Sequence, residues 1–286
     1  ANLGLKVRML CLEDSPIHRH LVNHRRVKVC PIGFRPRNNF DLKLREKLLA
    51  LFADGVNFVH THQTSILGSI IPWLWLRPEI PIVATRHIMN NHSKKDFYHR
   101  ALYNRLDALT VVSQAVRQNV LDTHAVRPRL VRVINLGLDF EVFDPLKVDA
   151  TSQRAQWGAD GDTVVIGLVG RIDPAKGQAT FIKAAAGLSR VLREGERVKC
   201  VIVGEETRGS DAHHLEALQE MVKQFQLDDS VVFAGYQEDI PEVMHAFDIF
   251  VMPSRQEAFG LVSIEAMAME CPIIISSGGS ADEIIG

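Results

Sequence analysis

IFVMPSRQEAFGLVSIEAMAMECPIIIS, Ile249 to Ser276, reads as a strand, a turn around a bare glycine, a helix and a second strand. A helix between two short apolar runs is the βαβ unit of a parallel sheet covered on both faces. Two carboxylates, Glu257 and Glu265, stand in it with seven residues between them. Ser254-x-x-Glu257 matches a capping box, which gives the first glutamate a purely structural reading. The second sits among Leu261, Val262, Ile264, Ala266, Met267 and Ala268, so its helix is expected to be nearly buried all round. A desolvated, unpaired carboxylate is costly, and ribose hydroxyls are suitable partners for it. Phe259-Gly260-Leu261 opens the helix. Gly260 lets the backbone approach a ligand, and the helix dipole favours an anion at that end.

The same rhythm runs outward in both directions. LKVRMLCLE, VKVCPIGF, NFVHTH, PIVATRH, ALTVVS and RVINLG are the strand candidates of the first half. TVVIGLVG, RVKCVIVGE, SVVFAGY, IFVMPS and PIIISS are those of the second. Most are apolar throughout rather than alternating, as in a sheet buried on both faces. Helical runs fall between them: DLKLREKLLALFA, KKDFYHRALYNRLD, SQAVRQNVLDTH, QATFIKAAAGLSRVLREG, HHLEALQEMVKQFQL and IPEVMHAF. The alternation predicts an α/β protein of two Rossmann-like, doubly wound parallel-sheet domains facing across a cleft. Residues 1–145 form the first and 146–286 the second. The linker is placed at Gly137 to Asp162, where Asp, Pro, Gly and Ser collect.

Composition narrows the function class. The 286 residues carry a net charge of -1 and are 46% apolar, so nothing in the average points to nucleic acid. Cys11, Cys30, Cys200 and Cys271 show no metal-site spacing and read as reduced core thiols. SILGSIIPWLWL, Ser65 to Leu76, is the longest apolar helix candidate; it is too short to span a bilayer and carries Pro72. No secretory signal is visible, and a cytoplasmic protein able to touch a membrane surface is expected.

In doubly wound sheets ligands bind beyond the carboxyl ends of the strands. After TVVIGLV comes GRIDPAKGQ, with Gly170 for a tight turn, Arg171 and Lys176 as cations, and a helix starting near Gln178. Cations at a helix N-terminus are disfavoured unless an anion joins them, which makes the stretch a phosphate site or two solvated surface charges. It is neither a Walker loop nor GxGxxG, which argues against a nicotinamide dinucleotide. Tyr236 and Gln237 follow SVVFAG, where an aromatic packs beside a base or merely edges the core. His60 and His62 form an HxH pair, a metal reading that no carboxylate pattern completes. His87 follows PIVATR and suits a proton-handling role or a loop role. His92 and His99 follow, and Lys94 and Lys95 read as a solvated face or as contacts to an acceptor.

GRIDPAKG, VGE, FAGYQEDIPEVMHAFDIFVMPSRQEAFGLVSIEAMAMECPIIIS and the glycines after it resemble the donor half of family-4 glycosyltransferases. VHTH, VATRH, VVSQAVRQNV and VINLGLDFEVFDP agree in order with the amino-terminal half. The resemblance implies the GT-B fold and transfer of sugar from a nucleotide donor to a hydroxyl with retention, in glycan, lipopolysaccharide or glycolipid synthesis. It gives the diphosphate to Arg171 and Lys176, beside Gly170, and the ribose hydroxyls to Glu265. It places Glu257 on the transferred sugar, with the backbone of Phe259, Gly260 and Leu261 supporting sugar and phosphate. Gly235 and Tyr236 would line the base pocket, and His87, with His92 nearby, would face the sugar as the other catalytic group. No metal or other cofactor is expected, and a UDP-sugar is favoured over a GDP-sugar by family frequency alone. The acceptor would be a saccharide or lipid-linked molecule, with room for peripheral membrane contact. Against the family pattern the chain lacks the first strand with its glycine-rich loop and the long carboxy-terminal segment, and Asp282 or Glu283 takes the acidic place after Gly279. The rivals are a non-catalytic nucleotide-sugar-binding or scaffold protein, a sugar-nucleotide epimerase, and a glycosidase using Glu257 and Glu265.

Overall fold

The computed structural model describes residues 4–36, 41–188, 190–206 and 213–286. Strands and helices alternate through β1 (Val7–Leu12), α1 (Pro16–Leu21), β2 (Val27–Ile32), α2 (Leu42–Ala53), β3 (Val59–Thr61), α3 (Leu67–Leu74), β4 (Ile82–Arg86) and α4 (Phe97–Asn104). They continue through β5 (Ala108–Val111), α5 (Gln114–Thr123), β6 (Val131–Val133) and α6 (Thr151–Gln156). The rest are β7 (Thr163–Val169), α7 (Gln178–Leu188), β8 (Arg197–Val203), α8 (His214–Gln224), β9 (Val231–Gly235), α9 (Ile240–His245), β10 (Ile249–Met252), α10 (Leu261–Ala268), β11 (Ile273–Ile275) and α11 (Ala281–Ile285). Every expected strand is present and the class is α/β.

By contacts the chain divides into one unit of residues 1–85 with 96–109 and a second of residues 86–95 with 110–286. In the first, β1 lies parallel to β2 from Val7 opposite Val27 to Leu12 opposite Ile32, and β3 lies parallel to β4. Leu44, Leu48 and Phe52 recur every fourth residue of α2 and are buried, the stripe that an α-helical period lays on one face. In α3, Leu67, Ile70, Ile71 and Leu74 are buried in the same way.

The second unit holds a parallel sheet in the order β11-β10-β7-β8-β9. Side chains alternate across it. Val165, Val201 and Val203 join Phe250, Met244 and a stacked Trp157–Phe247 pair, with ring centroids 5.4 Å apart, on one face. Leu168, Cys200 and Ile202 join Ile182, Leu218 and Val231 on the other. From β7 the chain builds first to one side through β8 and β9, then crosses to β10 and β11. The strand order therefore reverses between β7 and β10, the topological switch point of the sheet.

Several expectations need correction. The helix expected to run on from Gln178 through SRVLREG ends at Leu188, with Ser189 outside the described residues. The presumed linker holds α6, whose short run of polar residues carries little helical periodicity. Burial is not two-sided throughout, since Val164 and Ile274 are exposed on their strands. Cys200 and Cys271 are buried thiols pushed up to about 11 by desolvation, but Cys11 and Cys30 are only half-buried and so are not core.

Candidate functional site

The carboxyl ends of β7, β8 and β9 are cross-tied. Gly170 N–H donates to the Val203 carbonyl at 2.9 Å, and Gly204 N–H donates to that of Gly235 at 2.8 Å. Beyond β7, Asp173 caps a 3-10 turn at Pro174–Lys176 by accepting the Ala175 N–H at 2.9 Å. Gly177 then turns left-handed at φ 78° and α7 begins at Gln178. The turn is pressed onto the exit of β10. Arg255 N–H donates to the Ala175 carbonyl at 3.0 Å, and a Cβ on Gly177 would stand 2.3 Å from the Pro253 oxygen. This places the exits of β7 and β10 side by side at the switch point.

There Lys176 Nζ donates to Glu257 Oε2 at 2.8 Å, with both side chains mostly buried. Lys176 is thus no unpaired cation awaiting an anion: Glu257 offsets its charge beside the positive end of α7. Arg171 is exposed, and its carbonyl accepts the Nε2 proton of Gln178 at 2.7 Å. Gln178 is 0% exposed and fixes the backbone carrying the cation.

Past β10 the capping-box reading fails. The N-cap of α10 is Gly260 at φ 75°, Ser254 is buried, and Glu257 is turned to Lys176 instead. Phe259, only 6% exposed, anchors the turn in the core, and Leu261 opens the helix half-buried. α10 is not buried all round: Ser263 and Ala266 are buried while Met267 is exposed. Glu265 is half-buried on it, and desolvation raises its carboxyl above the ordinary range. No hydrogen bond or ion pair engages that carboxylate among the described residues.

Gly235 ends β9 at φ 66°, and Tyr236 beyond it is 64% exposed, not core edge. His87 is half-buried just after β4, while His92 is exposed and its carbonyl accepts from Asn90 Nδ2 at 2.7 Å. His60 Nε2 lies 2.7 Å from Thr85 Oγ1, and its ring packs 4.3 Å from that of His62. Lys94 is not part of a solvated face. It is half-buried, its backbone bridges to the end of α5, and desolvation, then the charge of Arg86, hold its ammonium below the usual range. Three more residues engage this region: Gln178, marked in the sequence only as a helix start; Ser113, whose Oγ donates to the Ala258 carbonyl at 2.5 Å; and Glu283, noted in the sequence only as a candidate for the acidic place after Gly279. Ser113 is legible only as a helix start, and nothing local in the sequence points it at residue 258.

Two family models match. Residues 1–142 match Glycosyltransferase Family 4 and residues 149–286 match Glycosyl transferases group 1. The chain is 29% identical over 237 residues to mannosylfructose-phosphate synthase of Agrobacterium fabrum, covering 79% of this chain and 50% of that protein. It is 28% identical over 243 residues to D-inositol 3-phosphate glycosyltransferase of Kineococcus radiotolerans, covering 78% of this chain and 54% of the relative. The chain thus spans about half the length of these curated relatives. Its fold matches that of Anabaena HepE, crystallised with UDP and glucose, at a TM-score of 0.79 and 21% identity, over 98% of this chain and 75% of that one.

Proposed function

The chain belongs to the family 4 glycosyltransferases, with the GT-B fold, and we propose on that footing that it binds a nucleotide-diphosphate sugar and transfers the sugar with retention to a hydroxyl acceptor. The observation that carries this is the constellation at the switch point. A buried-side cation, Lys176, and a carboxylate, Glu257, meet at the exits of β7 and β10, and the desolvated, unpartnered Glu265 lies one helix onward. A diphosphate between two sugars has the matching chemistry. Its negative charge suits Lys176, Arg171, Gly170 and the first amides of α10, and its ribose offers hydroxyl donors to Glu265.

In the reaction the bond from the anomeric carbon to the diphosphate oxygen breaks, and one to the acceptor oxygen forms on the same face. The acceptor proton leaves with the departing phosphate oxygen. Lys176 and Arg171 stabilise the charge that builds there, as fixed donors do without reorganising. Glu257 accepts from hydroxyls of the transferred sugar, held in place by Lys176, and His87 faces that sugar. Gly235 and Tyr236 border the base. HepE's UDP supports uridine as that base. The charge stabilisation asks for no metal, so excess chelator should leave turnover unchanged. Action in the cytoplasm belongs to the same proposal; separately, among the described residues no helix is long and apolar enough to cross a membrane. Peripheral contact with a membrane carrying a lipid-linked acceptor fits this reading.

Calorimetric titration with a panel of UDP- and GDP-sugars tests it. Glu265→Ala and Lys176→Ala should each weaken binding about tenfold or more, the worth of a charge-assisted hydrogen bond. Undiminished affinity in both variants would overturn the assignment.

A further inference from the structure

Ser113 lies 145 positions from Ala258, and Glu283 lies 169 from Gln114, yet all are joined within the second unit. Ser113 is the N-cap of α5. Its Oγ accepts the Val116 N–H at 3.1 Å and donates its own proton to the Ala258 carbonyl at 2.5 Å. A hydroxyl has one proton to give, so that of a wholly buried Ser113 is committed to residue 258. The next two amides of α5, on Gln114 and Ala115, donate to the two oxygens of Glu283 at 2.8 and 2.9 Å. This bidentate, charge-assisted contact sits at the positive end of the α5 dipole. The segment bearing Glu283 returns to the same turn, where Ser280 N–H donates to the Glu257 carbonyl at 3.1 Å. Gly279 makes the approach possible: it is left-handed, and a Cβ there would fall 2.0 Å from the Glu257 oxygen.

The contacts close a ring. α5 holds Ala258, Ser280 holds Glu257, and Glu283 ties the second segment back to α5. We propose that Ser113 and Glu283 are positioning residues for the donor turn 257–260, fixing Glu257 relative to the first amides of α10. This rests on the reading of the turn as the sugar- and phosphate-binding element. With the carbonyls of residues 257 and 258 both held, the peptide planes of the turn cannot rotate freely. The Glu257 side chain and the amides that follow then meet the donor already arranged, so less ordering is lost on binding.

A mere helix cap would behave differently. Its loss would lower the amount of folded enzyme, reducing kcat with donor KM unchanged. In the full chain, Ser113→Ala and Glu283→Ala should instead raise donor KM about tenfold while kcat stays within about twofold, and Ser113→Thr, which keeps the hydroxyl, should restore KM. Amide hydrogen exchange across residues 256–262 should quicken in both alanine variants without any nucleotide present. Unchanged exchange in that segment, or a fall in kcat with KM unmoved, overturns the proposal. A wild-type chain that takes no nucleotide sugar would defeat the functional reading instead, and the exchange measurement would still decide whether the clasp holds the turn.

Discussion

Glu265 is held partly out of water on α10, and desolvation raises its pKa. The native state therefore keeps its proton over a range in which the unfolded chain has already lost it. Stability must fall as pH rises from the ordinary carboxylate value through the raised one, and the penalty stands in full above it. Glu265→Gln removes that penalty. Differential scanning calorimetry of the ligand-free protein should show a higher Tm for the variant at about pH 7, with the gain shrinking toward zero near pH 4. The same variant should lose nucleotide-sugar affinity, because a neutral amide is a weaker acceptor for ribose hydroxyls. Gain and loss from one atom change is the expected mark of a residue kept for binding rather than for folding. The Lys176–Glu257 pair makes a second residue-scale case. At 2.8 Å and mostly shielded from solvent it lies between surface pairs and fully buried ones. A double-mutant cycle of Lys176→Met and Glu257→Gln in urea unfolding should give a coupling of about 1–2 kcal/mol, and a value near zero would mean the contact is not formed in solution.

At the scale of elements, the turn between β7 and α7 depends on backbone shape as much as on charge. Gly177 has φ 78°, and any Cβ there would overlap the Pro253 oxygen, so the cation turn and the β10 exit touch only because that atom is missing. Gly177→Ala should cost more than about 2 kcal/mol in denaturant unfolding and displace Lys176 from Glu257. Gly187, near the end of the same helix, meets nothing within 4 Å. Its replacement by Ala should raise stability by about 0.5–1 kcal/mol, through lower backbone entropy in the unfolded chain. The contrast shows what was legible in the sequence. Strands such as β7, β8 and β10 announce themselves because buried parallel strands are short apolar runs, and Gln178 as the start of α7 follows from the glycine before it. α1, α6 and α11 were missed because each has six residues or fewer, too short to show a period, and α1 has no buried residue at all, whereas the equally short α9 carries the apolar pair Val243 and Met244. Within the site, the residue types on each side of the switch point could be read from the strand ends. Their pairing could not, because Lys176 and Glu257 are 81 positions apart and only the reversal of strand order brings them together. The capping-box reading of Ser254 and Glu257 failed for a related reason: a spacing rule sees local partners, and the winning partner for Glu257 came from another βα turn.

For the whole molecule, a net charge of -1 conceals an uneven distribution. Lys6, Arg8, Arg25, Arg26 and Lys28 line one groove between the starts of β1 and β2. Asp54 meets Arg8 and, at 3.7 Å, Lys28, and Lys6, Arg25 and Arg26 add to that cationic side. Leu5 beside the groove and Val22 at the end of α1 are both exposed. Cations interleaved with exposed aliphatic side chains are what an acidic bilayer surface attracts, each basic residue near such a surface being worth about 1 kcal/mol. An average over the sequence could not reveal this, since acidic residues elsewhere cancel the sum without screening the patch. Sedimentation with vesicles carrying about one third anionic lipid should therefore pull down the protein at low salt, more weakly at physiological ionic strength, and not with neutral vesicles. Arg25→Glu with Arg26→Glu should lower the partition coefficient more than about tenfold, with nucleotide-sugar binding at the switch point untouched. Equal partition of the variant and the native chain would show that these charges serve only to keep the surface hydrated, and that any lipid-linked acceptor is met elsewhere on the protein.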